Sequence, residues 1–153
     1  MSAVAQAFET CEIVVDEVFP HAPELLWRAL TTGALIERWL KMKPTGFAAA
    51  VGTEFTFQTT PAGPWDGRIR CEILESVPNR RLVYSWKSGD ETNVGYGSAL
   101  STIVTFTLTK VADGTRLMLV HSGFVLPRNE TAYTSMNGGW KTVLGRMAEI
   151  AGE

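Results

Sequence analysis

The chain has 153 residues, of which 45% are apolar and 20% are charged, as is usual for a soluble globular protein. Its formal net charge of -2 argues against a nucleic-acid-binding surface, because such surfaces usually carry a basic excess. The first ten residues lack the pattern of a secretory signal, and no apolar stretch suggests an integral membrane segment.

The cysteines and histidines are few and scattered. Cys11 and Cys71 have no motif spacing, which predicts reduced thiols and a cytoplasmic location. Together with His21 and His121 they form no recognisable ligand spacing, so no metal is expected. No glycine-rich phosphate loop occurs in a strand–loop–helix context, and no cofactor is expected.

The N-terminal part predicts a tail, a strand and two short helices. Residues 1–10 are interpreted as a loose tail, and residues 11–153 as a single domain. Cys11–Phe19 is rich in Val and Ile on both parities, which predicts a strand that is partly covered on both faces, with Glu17 assigned to neither. A short helix begins at His21-Ala22-Pro23, and Thr32 is expected to cap a second one over Gly33–Leu40.

The middle of the chain changes to an apolar period of two, which is typical of strands. Consecutive strands with short connections are expected to pair antiparallel. The polar, glycine-rich stretch Ser88–Ser98 is interpreted as a mobile loop near the mouth of a cavity. The predicted strands are Thr53–Gln58, Gly67–Val77, a strand containing Leu82, Tyr84 and Trp86, Ser101–Leu108, and Thr115–Phe124.

The last stretch, Asn129–Ala151, carries one apolar stripe at three- and four-residue steps and predicts a long helix. Gly138, Gly139 and Gly145 interrupt this pattern. They leave two alternatives, a frayed start with regular helix from about Asn137, or a close approach or bend where the helix crosses the sheet or a ligand.

These elements predict an α+β domain. A curved antiparallel sheet of about six strands is expected to wrap the long C-terminal helix. Two short helices follow the first strand. The space between sheet and long helix is the natural place for a ligand.

Several segments resemble the START-like (SRPBCC) superfamily. His21-Ala22-Pro23 with Trp27 and Leu30, the strand Pro78–Trp86, and Thr115–Phe124 with the Gly139-Trp140 pair carry the resemblance. They are similar to one branch of that superfamily, the homologues of the heat-shock chaperone ATPase activator. The resemblance implies a helix-grip fold with a hydrophobic cavity, in a superfamily that includes binding proteins, cyclases and hydrolases.

Aromatic side chains are the main candidates for lining that cavity, because their rings offer large rigid contact areas. His121 is the best polar candidate, and it or Tyr84 could orient a ligand or act as an acid or base. No residue is assigned a catalytic role. The predicted ligand-binding residues are Trp39, Phe55, Phe57, Trp65, Tyr84, Trp86, His121, Tyr133, Met136, Trp140 and Leu144.

The sequence is compatible with three functions. The first is non-enzymatic binding of a small apolar or aromatic molecule between sheet and helix. The second is a protein-interaction module that regulates a chaperone, as the resemblance implies. The third is a cyclase- or hydrolase-type enzyme that uses the same cavity. A homodimer is left open.

Overall fold

The computed structural model describes residues 9–153. One antiparallel sheet contains six strands in the order β1-β6-β5-β4-β3-β2. Three helices complete the fold, so the predicted α+β helix-grip architecture is confirmed. The elements are β1 (Glu9–Phe19), α1 (Pro23–Thr31), α2 (Gly33–Leu40), β2 (Glu54–Gln58), β3 (Arg68–Val77), β4 (Arg81–Ser88), β5 (Leu100–Val111), β6 (Gly114–Leu126) and α3 (Glu130–Ala151).

The first strand differs from its prediction in length and in covering. Glu9 and Thr10 pair with β6, so the predicted tail of residues 1–10 extends too far, and the rest of it lies outside the described residues. Only one face of β1 is covered, because Val14 and Val18 remain 51% and 54% exposed while the alternate residues face the core. Apolar residues on both parities therefore do not indicate two covered faces here.

The short helices have the predicted positions but different caps. Pro23 is the first residue of α1, where its missing N–H costs nothing. Thr32 precedes α2 as predicted, yet its side chain makes no capping hydrogen bond. Lys41 ends α2 in the left-handed conformation, and its N–H donates to the carbonyl oxygen of Glu37.

The long helix α3 is continuous from Glu130 to Ala151, so a start near Asn137 is wrong. A Cβ atom added at Gly138, Gly139 or Gly145 would meet no other residue within 4 Å, so no close approach requires these glycines. The helix packs against α1, α2, β1 and β6.

The core lies between the concave face of the sheet and the three helices. Alternate residues of β3, β4 and β5 point into it, as the period of two requires. Trp140, Leu144 and Met147 of α3 close it from the other side and are all buried. This arrangement leaves an apolar cleft beside the first half of α3.

Candidate functional site

An apolar cleft of about 180 Å³ lies between the end of α2 and the long helix, with β4 at its base. Its walls contain neither an acidic nor a basic side chain. The lining residues are Leu40, Met42, Trp86, Ser135, Met136, Gly139, Trp140 and Val143.

The walls of the cleft are fixed by hydrogen bonds between helices. The indole Nε1 of Trp39 donates to the carbonyl oxygen of Ala29 at 2.8 Å, which ties α2 to α1. Arg146 of α3 donates from Nη1 to the carbonyl oxygen of Trp39 at 2.7 Å. The first bond fixes α2 on α1, and the second holds the α2 wall against the α3 wall.

A cluster of aromatic rings lies behind the cleft. The Trp86 ring is 5.7 Å from Phe57, 5.6 Å from His121 and 6.3 Å from Trp140, measured between ring centroids. Edge-on contacts dominate, which is the arrangement that aromatic quadrupoles favour. The cluster is therefore a rigid support for the residues that line the cleft.

His121 forms the polar centre of this cluster and is completely buried. Trp140 Nε1 donates to His121 Nδ1 at 3.0 Å, so Nδ1 carries no proton. Thr102 Oγ1 donates its proton to the carbonyl oxygen of Trp86 at 2.8 Å, so it accepts from His121 Nε2, also at 2.8 Å. Both ring nitrogens are satisfied, and burial lowers the pKa of His121 to about 3.

The two indoles that line the cleft differ in their hydrogen bonding. The Trp140 N–H donates a hydrogen bond to His121, whereas Trp86 Nε1 is shielded from solvent and has no hydrogen-bond partner. It is the only buried side-chain nitrogen or oxygen atom in residues 9–153 without a partner. One of the two indoles in the lining thus carries an unused donor.

The predicted ligand-binding residues fall into three groups. Trp86, Met136 and Trp140 line the cleft. Six others are buried behind it in the core, and Trp65 and Tyr133 lie elsewhere, against Tyr96 and Phe124 respectively. The six are Trp39, Phe55, Phe57, Tyr84, His121 and Leu144.

Five lining residues lie outside the predicted set. Val143 and Gly139 follow Met136 at the three- and four-residue steps of the helical stripe, and this spacing could have identified them. Leu40 and Met42 follow the predicted Trp39, but nothing in the sequence indicates that α2 ends beside α3. Nothing in the sequence indicates that Ser135 lines the cleft.

The predicted loop lies away from the apolar cleft. Ser88, Gly89, Asp90 and Glu91 line a separate groove of about 640 Å³, and no residue of the loop expected near a cavity mouth lines the apolar cleft. The groove runs along the outer face of the sheet and carries charges of both signs, which suits an apolar ligand poorly. Its charged residues are Asp66, Arg68, Arg70, Lys87, Asp90, Glu91 and Arg128.

Two further properties bear on the class of site. Among residues 9–153, no group of three or more His, Cys, Asp or Glu side chains could hold a metal ion. No helix in the same range combines the length and the apolar character needed to span a bilayer.

Known proteins with the same fold include several from bacteria. Protein MLL2253 of Mesorhizobium loti is 36% identical in sequence, with a TM-score of 0.77, and the match covers 92% of this chain and 96% of that one. CalU16 of Micromonospora echinospora (22% identity, TM-score 0.68, 95% and 87% covered) and BH1534 of Bacillus halodurans (20%, 0.70, 92% and 96%) share the fold. No protein of curated function matches the chain.

The sequence also fits a model of one protein family. The family is described as Activator of Hsp90 ATPase homolog 1-like protein, and its model matches residues 20–152. This match spans all elements except β1, and it agrees with the resemblance seen in the sequence. The chain therefore belongs to the Activator of Hsp90 ATPase homolog 1-like family.

Proposed function

We propose that this protein binds a small apolar or aromatic molecule in the cleft between α2 and α3, without catalysing a reaction. The observation that carries the proposal is the uncharged lining of the cleft, which includes two indole rings and two methionines. Its volume of about 180 Å³ suits a ligand of one ring, since an apolar cavity of about 150 Å³ accommodates benzene.

Burial of apolar surface would supply most of the affinity. A one-ring ligand that buries about 200 Å² gains roughly 5 kcal/mol at 25 cal/mol per Å². This gain sets a limit of about 0.2 mM on the Kd, because the loss of translational and rotational freedom weakens the affinity. Larger natural ligands would extend from the cleft into solvent.

The acid–base properties of the buried groups favour binding over catalysis. Burial lowers the pKa of His121 to about 3, and both of its nitrogens are already hydrogen-bonded. Burial raises the pKa of Tyr84 well above its usual value. Neither side chain would exchange a proton readily at neutral pH, which the cyclase- or hydrolase-type alternative would require.

Regulation of a chaperone is the alternative that the family name favours. An interaction module would need a docking surface, and it would not need an open apolar cleft. A cytoplasmic location, which suits either function, agrees with the free thiols of Cys11 and Cys71.

Two glycine substitutions test the proposed site. Gly139 lines the cleft, whereas its neighbour Gly138 is exposed and does not. Leucine at either position meets no other residue at its Cβ and removes one helical glycine, so the two variants are matched. Gly139→Leu places its side chain beside the cleft, and Gly138→Leu does not.

Binding is measured by titrating each protein with ethylbenzene and recording its tryptophan fluorescence. We expect binding to the native protein and to Gly138→Leu, and at least a tenfold loss of affinity in Gly139→Leu. Equal binding to both variants would move the site elsewhere. No binding to the native protein, combined with stimulation of a chaperone ATPase, would favour the interaction module.

A further inference from the structure

We infer that the ligand of this cleft carries an uncharged hydrogen-bond acceptor, such as a carbonyl oxygen, which accepts from the indole N–H of Trp86. The inference rests on the proposed binding function and narrows the class of ligand. It assigns to Trp86 the role of selecting between ligands of similar shape.

The hydrogen bonds around the cleft show which indole donor is left for a ligand. Trp140 Nε1 donates to His121, and Trp39 Nε1 donates to the carbonyl oxygen of Ala29. Trp86 Nε1 alone has no partner, although Trp86 is only 3% exposed and lines the cleft. A buried donor without a partner is unfavourable, so an acceptor that reaches it would be bound preferentially.

The protein cannot satisfy this N–H from the polar groups next to it. His121 accepts at Nδ1 from Trp140 and donates at Nε2, so it has no free acceptor. Thr102 Oγ1 already donates to the Trp86 carbonyl and accepts from His121, and its second lone pair lies outside hydrogen-bond range of Trp86 Nε1. The acceptor therefore has to come with the ligand.

The charge of the acceptor follows from the lining residues. The cleft contains no Lys, Arg or His side chain that could neutralise an anion. A carboxylate would lose its hydration and gain one neutral hydrogen bond, which is a poor exchange. A ketone, ester or ether oxygen loses much less on leaving water.

Flexible side chains in the lining would let an acceptor approach Trp86. Met42 and Met136 line the cleft and are partly exposed. Methionine side chains are unbranched and readjust easily, so they can move aside as a ligand enters. A water molecule that entered after the same movement would be bound less well than such a ligand, because the walls offer it few other hydrogen-bond partners.

Three probes of nearly equal shape separate the acceptor from the apolar contact. Acetophenone carries a carbonyl oxygen, α-methylstyrene has a methylene group in its place, and benzoate carries a charged carboxylate. Trp86→Phe keeps an aromatic ring at the base of the cleft and removes the N–H. Trp27→Phe is the matched control, because Trp27 lies on α1 and is not among the lining residues.

We expect Trp86→Phe to weaken acetophenone binding about 3- to 10-fold, the range of one neutral hydrogen bond. The affinity for α-methylstyrene should change by less than about twofold, benzoate should bind more weakly than acetophenone, and Trp27→Phe should change no affinity. An equal loss for both uncharged probes in Trp86→Phe would overturn the inference. The same conclusion would follow if Ser135→Ala, rather than Trp86→Phe, removed the preference for the ketone.

A measurement on the native protein makes the test independent of the folding of the variant. Acetophenone should move the Trp86 indole proton resonance downfield, and α-methylstyrene should not. An unchanged indole resonance in saturating acetophenone would overturn the inference while leaving apolar binding intact. Failure of both uncharged probes to bind would overturn the proposed function as well.

Discussion

At the residue scale, His121 is a structural residue of the core. It receives a hydrogen bond from Trp140 on one side and donates to Thr102 on the other, so its tautomer is determined by its neighbours. The direct ligand contact predicted for it would require one of these bonds to break. Its hydrogen bond with Trp140 holds that ring in the wall of the cleft.

The lowered pKa of His121 makes stability depend on pH. The unfolded chain binds a proton at His121 with a pKa of about 6.5, and the folded chain does so only at about 3. Between these values the unfolded state binds more protons, so the free energy of unfolding falls as the pH falls. The full contribution is present above about pH 6.5 and is lost progressively toward pH 3.

We expect the free energy of unfolding to decrease by about 2 kcal/mol between pH 7 and pH 5 from this group alone. Denaturant titration at several pH values measures the decrease. NMR of the His121 ring should show the same neutral tautomer throughout that range. A ring titration with a midpoint near 6 would contradict the proposed hydrogen-bond pattern.

At the scale of elements, the connection between β4 and β5 is better anchored than its composition suggests. Asn93 Nδ2 donates to the carbonyl oxygens of Ala62 and Gly97, at 2.8 and 3.1 Å. Tyr96 donates from its hydroxyl to the carbonyl oxygen of Thr60 at 2.6 Å. These bonds join two loops that the sequence alone treats as independent.

Replacing Asn93 tests whether these hydrogen bonds hold the loop. We expect slow amide exchange at Asp90, whose N–H donates to Gly97 at 2.9 Å. Asn93→Ala should accelerate it by about tenfold, since two neutral hydrogen bonds are lost. Val94→Ala is the control, because Val94 is 96% exposed. Fast exchange at Asp90 in the native protein would instead support the mobile loop expected from the sequence.

At the scale of the whole molecule, ligand binding and folding are linked. The cleft exists only when β4, α2 and α3 are packed together, so a ligand of the cleft binds the folded state and stabilises it.

Self-association is a separate property of the whole molecule, and the homodimer remains a prediction that sedimentation equilibrium would test.

Ethylbenzene should therefore raise the Tm. At ten times its Kd, the ligand adds about 1.4 kcal/mol to the free energy of unfolding. For a domain of about 150 residues, this corresponds to a rise of roughly 3–6 °C. Calorimetry should show the rise in the native protein and in Gly138→Leu, and a rise of at most about 1–2 °C in Gly139→Leu at the same ligand concentration. An equal rise in Gly139→Leu would indicate binding away from the cleft.

The sequence alone predicts the order and type of the elements, because an apolar period of two or of 3.6 follows directly from strand and helix geometry. It also placed Trp86, Met136 and Trp140 on inward faces, and these residues line the cleft. The family resemblance was visible in contiguous motifs, which need no tertiary information.

Tertiary packing is needed to see which inward residues reach the cleft and which are covered by others. Parity assigns a side chain to a face, but it does not say whether a neighbouring element covers that face. The sequence pattern predicts that Trp39 and Trp86 are both buried aromatics. In the structure, Trp39 Nε1 donates to a carbonyl oxygen of α1, whereas Trp86 Nε1 makes no hydrogen bond. Hydrogen bonds between distant segments depend on distances of a few ångströms, and packing of the whole chain is needed to set them.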